Sequence, residues 1–555
     1  LAKPQQELLF APLGGVGEIG MNLALYGLAS GNRREWLCVD MGVSFGDSDT
    51  PGIDLVMADI GFAEEQRRDI KGIVITHGHE DHVGALFDLW PKLRVPVYAT
   101  PFTATLIASK KVMEPNAPEV PVTVVPVGGR VTIGSFDVEF VPVAHSIPES
   151  HSLAIRTPAG LVVHSGDWKL DASPGVGEIT DERKFRAIGE EGVRALVCDS
   201  TNAVRDGISP SESDVAENLK KIIERAKGRV AMTTFASNVA RLRSAALAAH
   251  ACGRQVIVAG RAMERVIGVA RELGYLDGVP PFKGLDAYQT LPPDKALVLL
   301  TGSQGEPRAA LARIANDDHP AIDLSPGDTL ILSSRTIPGN EKPVNRILNA
   351  MINKGIEVIT DRTELVHVSG HPRRGELKKM YEWLKPELVV PVHGEALHLH
   401  ENAVVAREAG IREIVSCRNG DIVRLTSSAG VIDQFQSGRL YKDGSLLISA
   451  NDDVVKDRKR LSFSGVISIA VALQGRGEMA DEPVVEFAGI PEQAGSEGSM
   501  FDLIVEAIYS GFEGLPRARR RDADVVGEAI RRSVRGAVNA AWGKKPTCHV
   551  LVLEI

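Results

Sequence analysis

The sequence predicts an α/β protein in which a parallel α/β segment interrupts a framework of short strands, with a smaller α/β domain at the end. Three observations point there. Residues 5–200 read as short apolar runs punctuated by Gly and Pro. From about 205 to 365, strand-like runs alternate with helical stretches. Beyond 366 the short-strand texture returns, before a last segment with strands and helices of its own. At 555 residues the chain exceeds what one hydrophobic core can serve, so several domains are expected.

In the first segment the strand-like runs are EWLCVDMG, GIVITHGH, VPVYAT, FDVEFVPVAH, LVVHSGD and ALVCDST. The clearest helices are DHVGALFDLWPKL and TPFTATLIASKKVME, a texture of packed sheets with helices outside. The second segment opens on SPSESDVAENLKKIIERAKG, with Ser209 placed as helix cap, Pro210 at the first helical position and Glu212 at the third. RVAMTTFA, RQVIVAG, KALVLLTG and DTLILSS then alternate with VARLRSAALAAHA and RAMERVIGVARELG, as a parallel sheet requires. Residues 366–440 hold one strong helix, RGELKKMYEWLK. The polar stretch 441–462 reads as a linker, and 463–555 places helices such as VGEAIRRSVRGAVNAAW between the runs GVISIAVAL and CHVLVLEI. The expected divisions are therefore 1–204, 205–365, 366–440, 441–462 and 463–555.

Composition is that of an ordinary globular protein, 44% hydrophobic and 24% charged. A formal charge of −9 excludes a surface that is basic throughout, though not a local Lys/Arg patch along a nucleic-acid channel. The cysteines (Cys38, Cys198, Cys252, Cys417 and Cys548) form no CxxC pair and read as free thiols of a reducing compartment. The N-terminal stretch lacks the layout of a signal peptide, and no apolar run approaches the ~20 residues that span a bilayer. No membrane contact and a cytoplasmic location are expected.

The chemistry concentrates in GIVITHGHEDHVGALFDLW. Three of the chain's 14 histidines (His77, His79 and His82) fall within six positions together with Glu80 and Asp81, directly after an apolar run. Imidazoles two apart in a loop after a strand can converge on one ion, while Asp81 and His82 open the next helix and can face a second. The helix dipole also favours the carboxylate there. His145, Asp167 and His393 each follow a strand-like run, where loops could gather them. The expected assignment gives one metal to His77, His79 and His145, a second to Asp81, His82 and His393, and Asp167 to both. Asp40 ends a strand and is placed to orient a ligand or the attacking water. A donor set of nitrogen and oxygen without thiolate fits two divalent ions, Zn or Mn, and two ions ~3.5–4 Å apart suit hydrolysis. His164 is read as a hydrogen-bonded core residue.

Asp40, the HxHxDH block, His145 and Asp167 resemble the metallo-β-lactamase superfamily. That resemblance implies an αββα sandwich with metals at one edge. ALVCDST with Asp199, ELVHVSGHPRRGE with His367, Ser369 and His371, and VVPVHGE with His393 look like the later motifs of the β-CASP nucleases. In those, an α/β domain interrupts the lactamase fold. PLGGVGEIGMN, TTFASN, GRAMERV, LTGSQGEP, IPGNE and HVSGH resemble the bacterial ribonuclease J family over nearly the whole chain. The implied architecture is a metallo-β-lactamase domain (1–204 and 366–440), an inserted β-CASP domain (205–365), a linker and a small C-terminal α/β domain.

The resemblance further implies a ribonuclease of RNA maturation and decay acting on single-stranded RNA. It would digest 5′-to-3′ from 5′-monophosphate ends and also cut internally. Asp199 and His371 would form its acid–base pair beside Asp81. RNA contacts are expected from Thr234, Phe235, Ser237 and Asn238, and from His367, Val368, Ser369, Gly370 and His371. A homodimer or homotetramer, and partners in an RNA-degradation complex, are implied as well. The chain departs from the family pattern at Pro372, Arg373 and Arg374, where smaller residues are expected.

Asp47 and Asp49 of SFGDSDTPGID, with Asp443, read either as a structural Ca or Mn site, as in some relatives, or as a solvated acidic loop. The run PRARRRDADVV, with Arg517, Arg519, Arg520 and Arg521, either steers RNA or starts a solvated helix. Arg261, Arg265 and Arg335 either track an RNA backbone or lie on helix surfaces. GGVGEIG lacks the βαβ context of a dinucleotide site and is read as tight turns near the metal edge.

Overall fold

A computed structural model describes residues 6–31, 33–337, 339–494 and 498–555. The first five residues of the expected first domain and Pro338 of the IPGNE loop lie outside these. Two compact units form, one running to Phe45 and from Leu55 to Lys442, the other comprising Gly46–Asp54 and Asp443–Ile555.

The larger unit contains a sandwich of two sheets. In the first, Gln6–Gly14 lies beside Leu23–Ser30, and the order continues through Arg33–Val39, Ile70–Val74, Val97–Ala99 and Val122–Val124. Its other end is completed by Asp421–Arg424 and Gly430–Gln434. The second sheet runs Glu413–Ile414, Leu388–Val392, Val193–Asp199, Gly160–His164, Ser150–Thr157, Phe136–Val143 and Arg130–Ile133. Both sheets thus draw strands from before residue 204 and after residue 366. Leu8, Phe10, Tyr26 and Leu37 of one meet Phe136, Phe140, Leu153 and Val390 of the other in a dry core. Burying such side chains is worth roughly 1.5–3 kcal/mol each. The outer face of the second sheet is covered by the helices Glu182–Glu190 and Arg374–Leu384, through Phe185, Trp383 and Leu384.

In the chain between the two segments that build the sandwich comes a five-stranded parallel sheet, ordered Gln255–Ala259, Ala296–Leu300, Val230–Thr233, Thr329–Leu332 and Glu357–Ile359. Apolar clusters fill both of its faces, Leu219, Leu242 and Val266 belonging to one and Leu311, Ile347 and Met351 to the other. Loops at the carboxyl ends of its strands carry TTFASN and LTGSQGEP, the usual place for a ligand in an open α/β sheet.

Three local expectations change. The helix expected over DHVGALFDLWPKL is broken into Glu80–Val83 and Leu86–Leu93. The Asp81 carbonyl is claimed by Asn22 N (3.0 Å), and Ala85 N bonds Met41 O (3.0 Å) instead. The helix expected from Pro210 begins at Glu212, with Ser211 as cap and Asp214 closing the capping box. Ser209 is occupied elsewhere, its backbone N–H and hydroxyl both donating to Glu376. Residues 441–462, expected as a linker, hold the strand Leu446–Ser449 and the helix Val454–Ser464; the polar residues cover a solvated helix face while Val455 is buried.

In the smaller unit, Val466–Gln474 pairs antiparallel with Val484–Ala488 and parallel with Thr547–Glu554. The helices Met500–Glu513 and Ala523–Trp542 pack on this sheet through Ile504, Ile508, Ile530 and Val534. Asp522 caps the longer helix, accepting from Asp524 N and Val525 N. Arg520 lies over the Phe512 ring and donates to the carbonyls of Leu515 and Glu513. Among the described residues no helix is long and apolar enough to cross a membrane.

Candidate metal centre and active site

The strand Ile70–Val74 delivers Thr76 and His77 to one edge of the sandwich, and the turn that follows brings His79, Asp81 and His82. This turn needs very close packing. A Cβ on Gly42 would sit 1.7 Å from the Asp81 carbonyl oxygen, so only glycine fits. Asp40 and His393 hold left-handed backbone, with φ of 62° and 53°. Such non-glycine conformations cost of order 1–3 kcal/mol each and persist where the surroundings fix them, as function often demands. His393 is anchored by its N–H to Gly15 O (2.7 Å), so GGVGEIG forms the expected tight turns at this edge.

The structure brings together all seven residues expected to hold metal. His77, His79, His145 and Asp167 form one group, and Asp81, His82, Asp167 and His393 a second, with ligand atoms in each within 4.8 Å of one another. Asp167 is common to both. Its Oδ2 lies 3.8 Å from His77, 3.2 Å from His82, 3.7 Å from His145, 3.5 Å from His393 and 3.8 Å from His371.

Neighbouring groups fix the rings. Asp40 meets His82 Nδ1 at 2.7 Å and accepts from Thr76 N at 2.8 Å, which leaves His82 Nε2 toward Asp167. His145 Nδ1 meets the Gly370 carbonyl at 2.7 Å, leaving Nε2 to the cluster. Thr76 Oγ1 holds His77 Nδ1 at 3.0 Å. Such outer bonds set the tautomer of a metal-binding imidazole.

The electrostatics fit divalent cations. Burial and neighbouring imidazoles hold His77 and His145 well below the ordinary histidine range, and burial takes His79 down to about 3, so these rings keep a lone pair to donate. Burial opposes a charge on His82, yet Asp167, Asp81 and Asp40 outweigh it and hold that ring well above its usual value. The carboxylates therefore demand positive charge in this volume. Among the described residues neither ring nitrogen of the buried His393 has a well-formed hydrogen bond. An orphaned imidazole beside Asp81 and Asp167 suits coordination rather than a packed core.

A third group, Asp199 and His371 with Asp167 and His393, adjoins the first two. His371 Nδ1 meets Asp199 Oδ2 at 2.7 Å, while Asp199 Oδ1 accepts from Thr201 N and Oγ1. Burial opposes protonation of His371, but Asp199 and Asp167 raise it to about 9. Asn402, buried inside the helix Ala396–Glu408, donates to Asp199 O (3.1 Å) and Ser200 Oγ (2.9 Å) and locks this strand end. An asparagine beside the apolar run AVVA was the available sequence signal for it. Thr76 and Asn202 carried none.

The remaining expected residues divide. Phe235 and Ser237 line a cavity of about 230 Å³ with Gly78, His79, Leu106 and Arg265. His367 and Ser369 lie on either side of the buried Val368, and Asn202 Nδ2 donates to Ser369 Oγ (2.8 Å) and His371 O (3.1 Å). Val368 was expected to contact RNA; it is buried in the inserted domain's core, because in an extended run alternate residues face opposite sides. Gly370 was expected in a phosphate cradle, and its carbonyl holds His145; a Cβ there would lie 2.4 Å from the ring. Thr234 is buried. Asn238 is a helix cap, accepting from Arg241 N.

Asp47, Asp49 and Asp443 gather no cation site among the described residues. Asp443 meets Arg458 (2.6 Å), Asp49 meets Lys459 (3.3 Å), and Asp47 ties its own turn through Thr50 and Asp49 N. Arg265 faces Glu80 at 3.8 Å, and Arg335 offers its carbonyl to Gln304. His164 meets Tyr26 Oη at 2.9 Å in the core.

Comparison with known proteins agrees with this geometry. Family models match at residues 50–234 (beta-lactamase superfamily domain), 227–351 (ribonuclease J, beta-CASP domain), 355–415 (Zn-dependent metallo-hydrolase RNA specificity domain) and 453–555 (ribonuclease J C-terminal domain). The chain is 52% identical to ribonuclease J of Sinorhizobium meliloti, over 99% of this chain and 98% of that protein. It is 38% identical to ribonuclease J of Corynebacterium glutamicum, over 100% and 76%, and 35% identical to that of Thermus thermophilus, over 99% and 96%. A crystal structure of a protein of unknown function from Enterococcus faecalis covers 75% of this chain and all of its own, with a TM-score of 0.52 at 15% identity, a likeness of fold alone. A divalent-metal edge, an inserted α/β domain and identity along the full length have one common reading: the chain belongs to the ribonuclease J family of metal-dependent hydrolytic ribonucleases, with a metallo-β-lactamase domain, an inserted β-CASP domain and a ribonuclease J C-terminal domain.

Proposed function

We propose that this chain digests single-stranded RNA 5′-to-3′, prefers 5′-monophosphate ends and also cuts internally, in RNA maturation and decay. His77, His79 and His145 would hold one divalent cation, Zn or Mn, and Asp81, His82 and His393 the other, with Asp167 shared. When bound, such ions acidify a water and neutralise charge on the attacked phosphate. The observation that carries the reading is the Asp199–His371 pair at 2.7 Å, within reach of Asp167 and beside both metal groups. Asp199 is held by Thr201 and so fixes His371 through Nδ1. The other ring nitrogen is then free to protonate the departing 3′-oxygen, a poor leaving group without a proton.

Preference for a terminal phosphate is supported by Ser369 and His367, one and three residues from the Gly370 carbonyl that orients His145. A phosphate engaged there would set the first phosphodiester at the metal groups. Phe235, in the adjoining cavity, offers a stacking face for the first base. The same reading takes 1–204 with 366–440, 205–365 and 463–555 as the working domains. It also includes a cytoplasmic location, a homodimer or homotetramer, and partners in an RNA-degradation complex.

The test compares 5′-monophosphate and 5′-triphosphate RNA of one sequence with wild type and His79→Ala. Mononucleotides released faster from the monophosphate RNA, and no cleavage by the variant, are expected. Equal rates on the two ends would remove terminal selection from the proposal.

A further inference from the structure

Loops that follow Asp199 and His371 run side by side as a short ladder. Asn202 bridges to Arg373, Arg374 N donates to Arg205 O (2.9 Å), and Gly375 N donates to Gly207 O (2.9 Å). Glu376 secures the turn by accepting from Arg373 N (2.9 Å), Ser209 N and Leu170 N. The ladder brings Arg205 and Arg373 together, and the two are treated very differently from the neighbouring arginine. Arg374 is fully engaged, by Glu401 (2.6 Å), Glu408 (3.1 Å) and Asp206 (3.5 Å). Arg205 and Arg373 make no ion pair among the described residues. Partial burial and the charge of Arg373 both push the Arg205 guanidinium below its ordinary value, with Asp361 alone opposing. Two arginines on adjoining strands of this ladder, each without an ion pair among the described residues, repel in the free protein and can both serve an arriving anion.

Inward of this pair lie further basic side chains, each matched by a carboxylate. His367 carries a buried Nδ1 with no hydrogen-bond partner among the described residues. Burial and then Arg241, Lys169 and Arg205 keep its ring well below the usual histidine range. Arg241 is fixed in the interior by Glu212 (2.9 Å) and the Val366 carbonyl (2.8 Å), and Lys169 by Asp171 (2.8 Å). Asn202 links the ladder to Ser369 Oγ at 2.8 Å. An orphaned polar atom and a pair of unneutralised arginines thus lie on one continuous stretch.

We infer that Arg205 and Arg373 form a second anion site, which takes a further phosphate of the RNA beyond the one engaged by His367 and Ser369. The inference rests on the proposed ribonuclease reading. The extra phosphate has two possible sources with the same chemistry. It is either the β- or γ-phosphate of a 5′-triphosphate end, or the internal phosphodiester on the 5′ side of an endonucleolytic cut.

The test uses the full-length protein and an Arg205→Gln/Arg373→Gln variant on three RNAs of one sequence: 5′-monophosphate, 5′-triphosphate, and circular. Expected is unchanged KM on the monophosphate RNA and a rise of about tenfold, the loss of one charge-assisted contact, on one of the other two. A rise on circular RNA assigns the site to an internal phosphodiester; a rise on triphosphate RNA assigns it to the terminus. Arg205→Lys/Arg373→Lys should recover part of the loss. Equal KM on all three RNAs, or an equal rise on all three, overturns the site. Affinity for the same RNAs, measured by fluorescence anisotropy on His79→Ala with and without the double change, reads the site without cleavage. Unchanged affinity there overturns it as well. A wild type that binds but cuts none of the RNAs would overturn the nuclease reading alone.

Discussion

Of the seven residues in the two metal groups, His77, His79, Asp81 and His82 lie within six positions, on a turn packed so closely that Gly42 admits no side chain. The adjoining region, proposed above for acid–base and phosphate roles, is assembled differently. Asp199 meets His371 across 172 positions, Asn202 meets Ser369 across 167, and Arg241 meets Val366 across 125. Four of the seven residues of the first region are set by local backbone, whereas the second region rests on hydrogen bonds between chain segments that lie before and after the inserted sheet, joined by one from Arg241 of the inserted segment. Damage to the first should abolish chemistry and metal binding together. Damage to the second should be graded and leave the metals in place.

Asp167→Asn should have the largest effect, because this carboxylate faces both groups. A loss of at least about a thousandfold in kcat, with less metal retained by elemental analysis, is expected; full metal content would break the contrast. His371→Ala should cost about 10²–10⁴ in kcat while elemental analysis finds wild-type metal. Metal loss in that variant would merge the two regions into one. Asp40→Asn removes the partner of His82 Nδ1 and should weaken metal affinity about 10–100-fold, read by competition with a chelator, with kcat recovered at saturating metal. Ser237→Ala should be mildest, raising KM a few-fold for a lost hydrogen bond of about 1 kcal/mol and leaving kcat unchanged in steady-state assays.

The same contrast governs what could be read in the sequence. HxHxDH is legible because its spacing and the preceding apolar run act on neighbours in the chain, and His145, Asp167 and His393 stand at strand ends. The acidic residues Asp47, Asp49 and Asp443 were ambiguous because their neutralising partners, Arg458 and Lys459, are remote in sequence from the first two. Ser209 and Ser211 both begin plausible capping patterns, and the choice falls to Ser211 only because Glu376, 167 positions away, occupies Ser209. Val368 sits inside a motif expected to bind RNA, yet the alternation of Val366 and Val368 against His367 and Ser369 already says which pair faces the core. The carbonyl of Gly370 has no signature at all, since every residue has one.

That carbonyl has a consequence for how the enzyme could be tuned. Whatever shifts the backbone at residue 370 must also turn the imidazole of His145, since a 2.7 Å bond joins them. Under the proposed function, recognition of an RNA end and readiness for hydrolysis would therefore share a single mechanical part. A substitution that moved this carbonyl would then alter both properties at once.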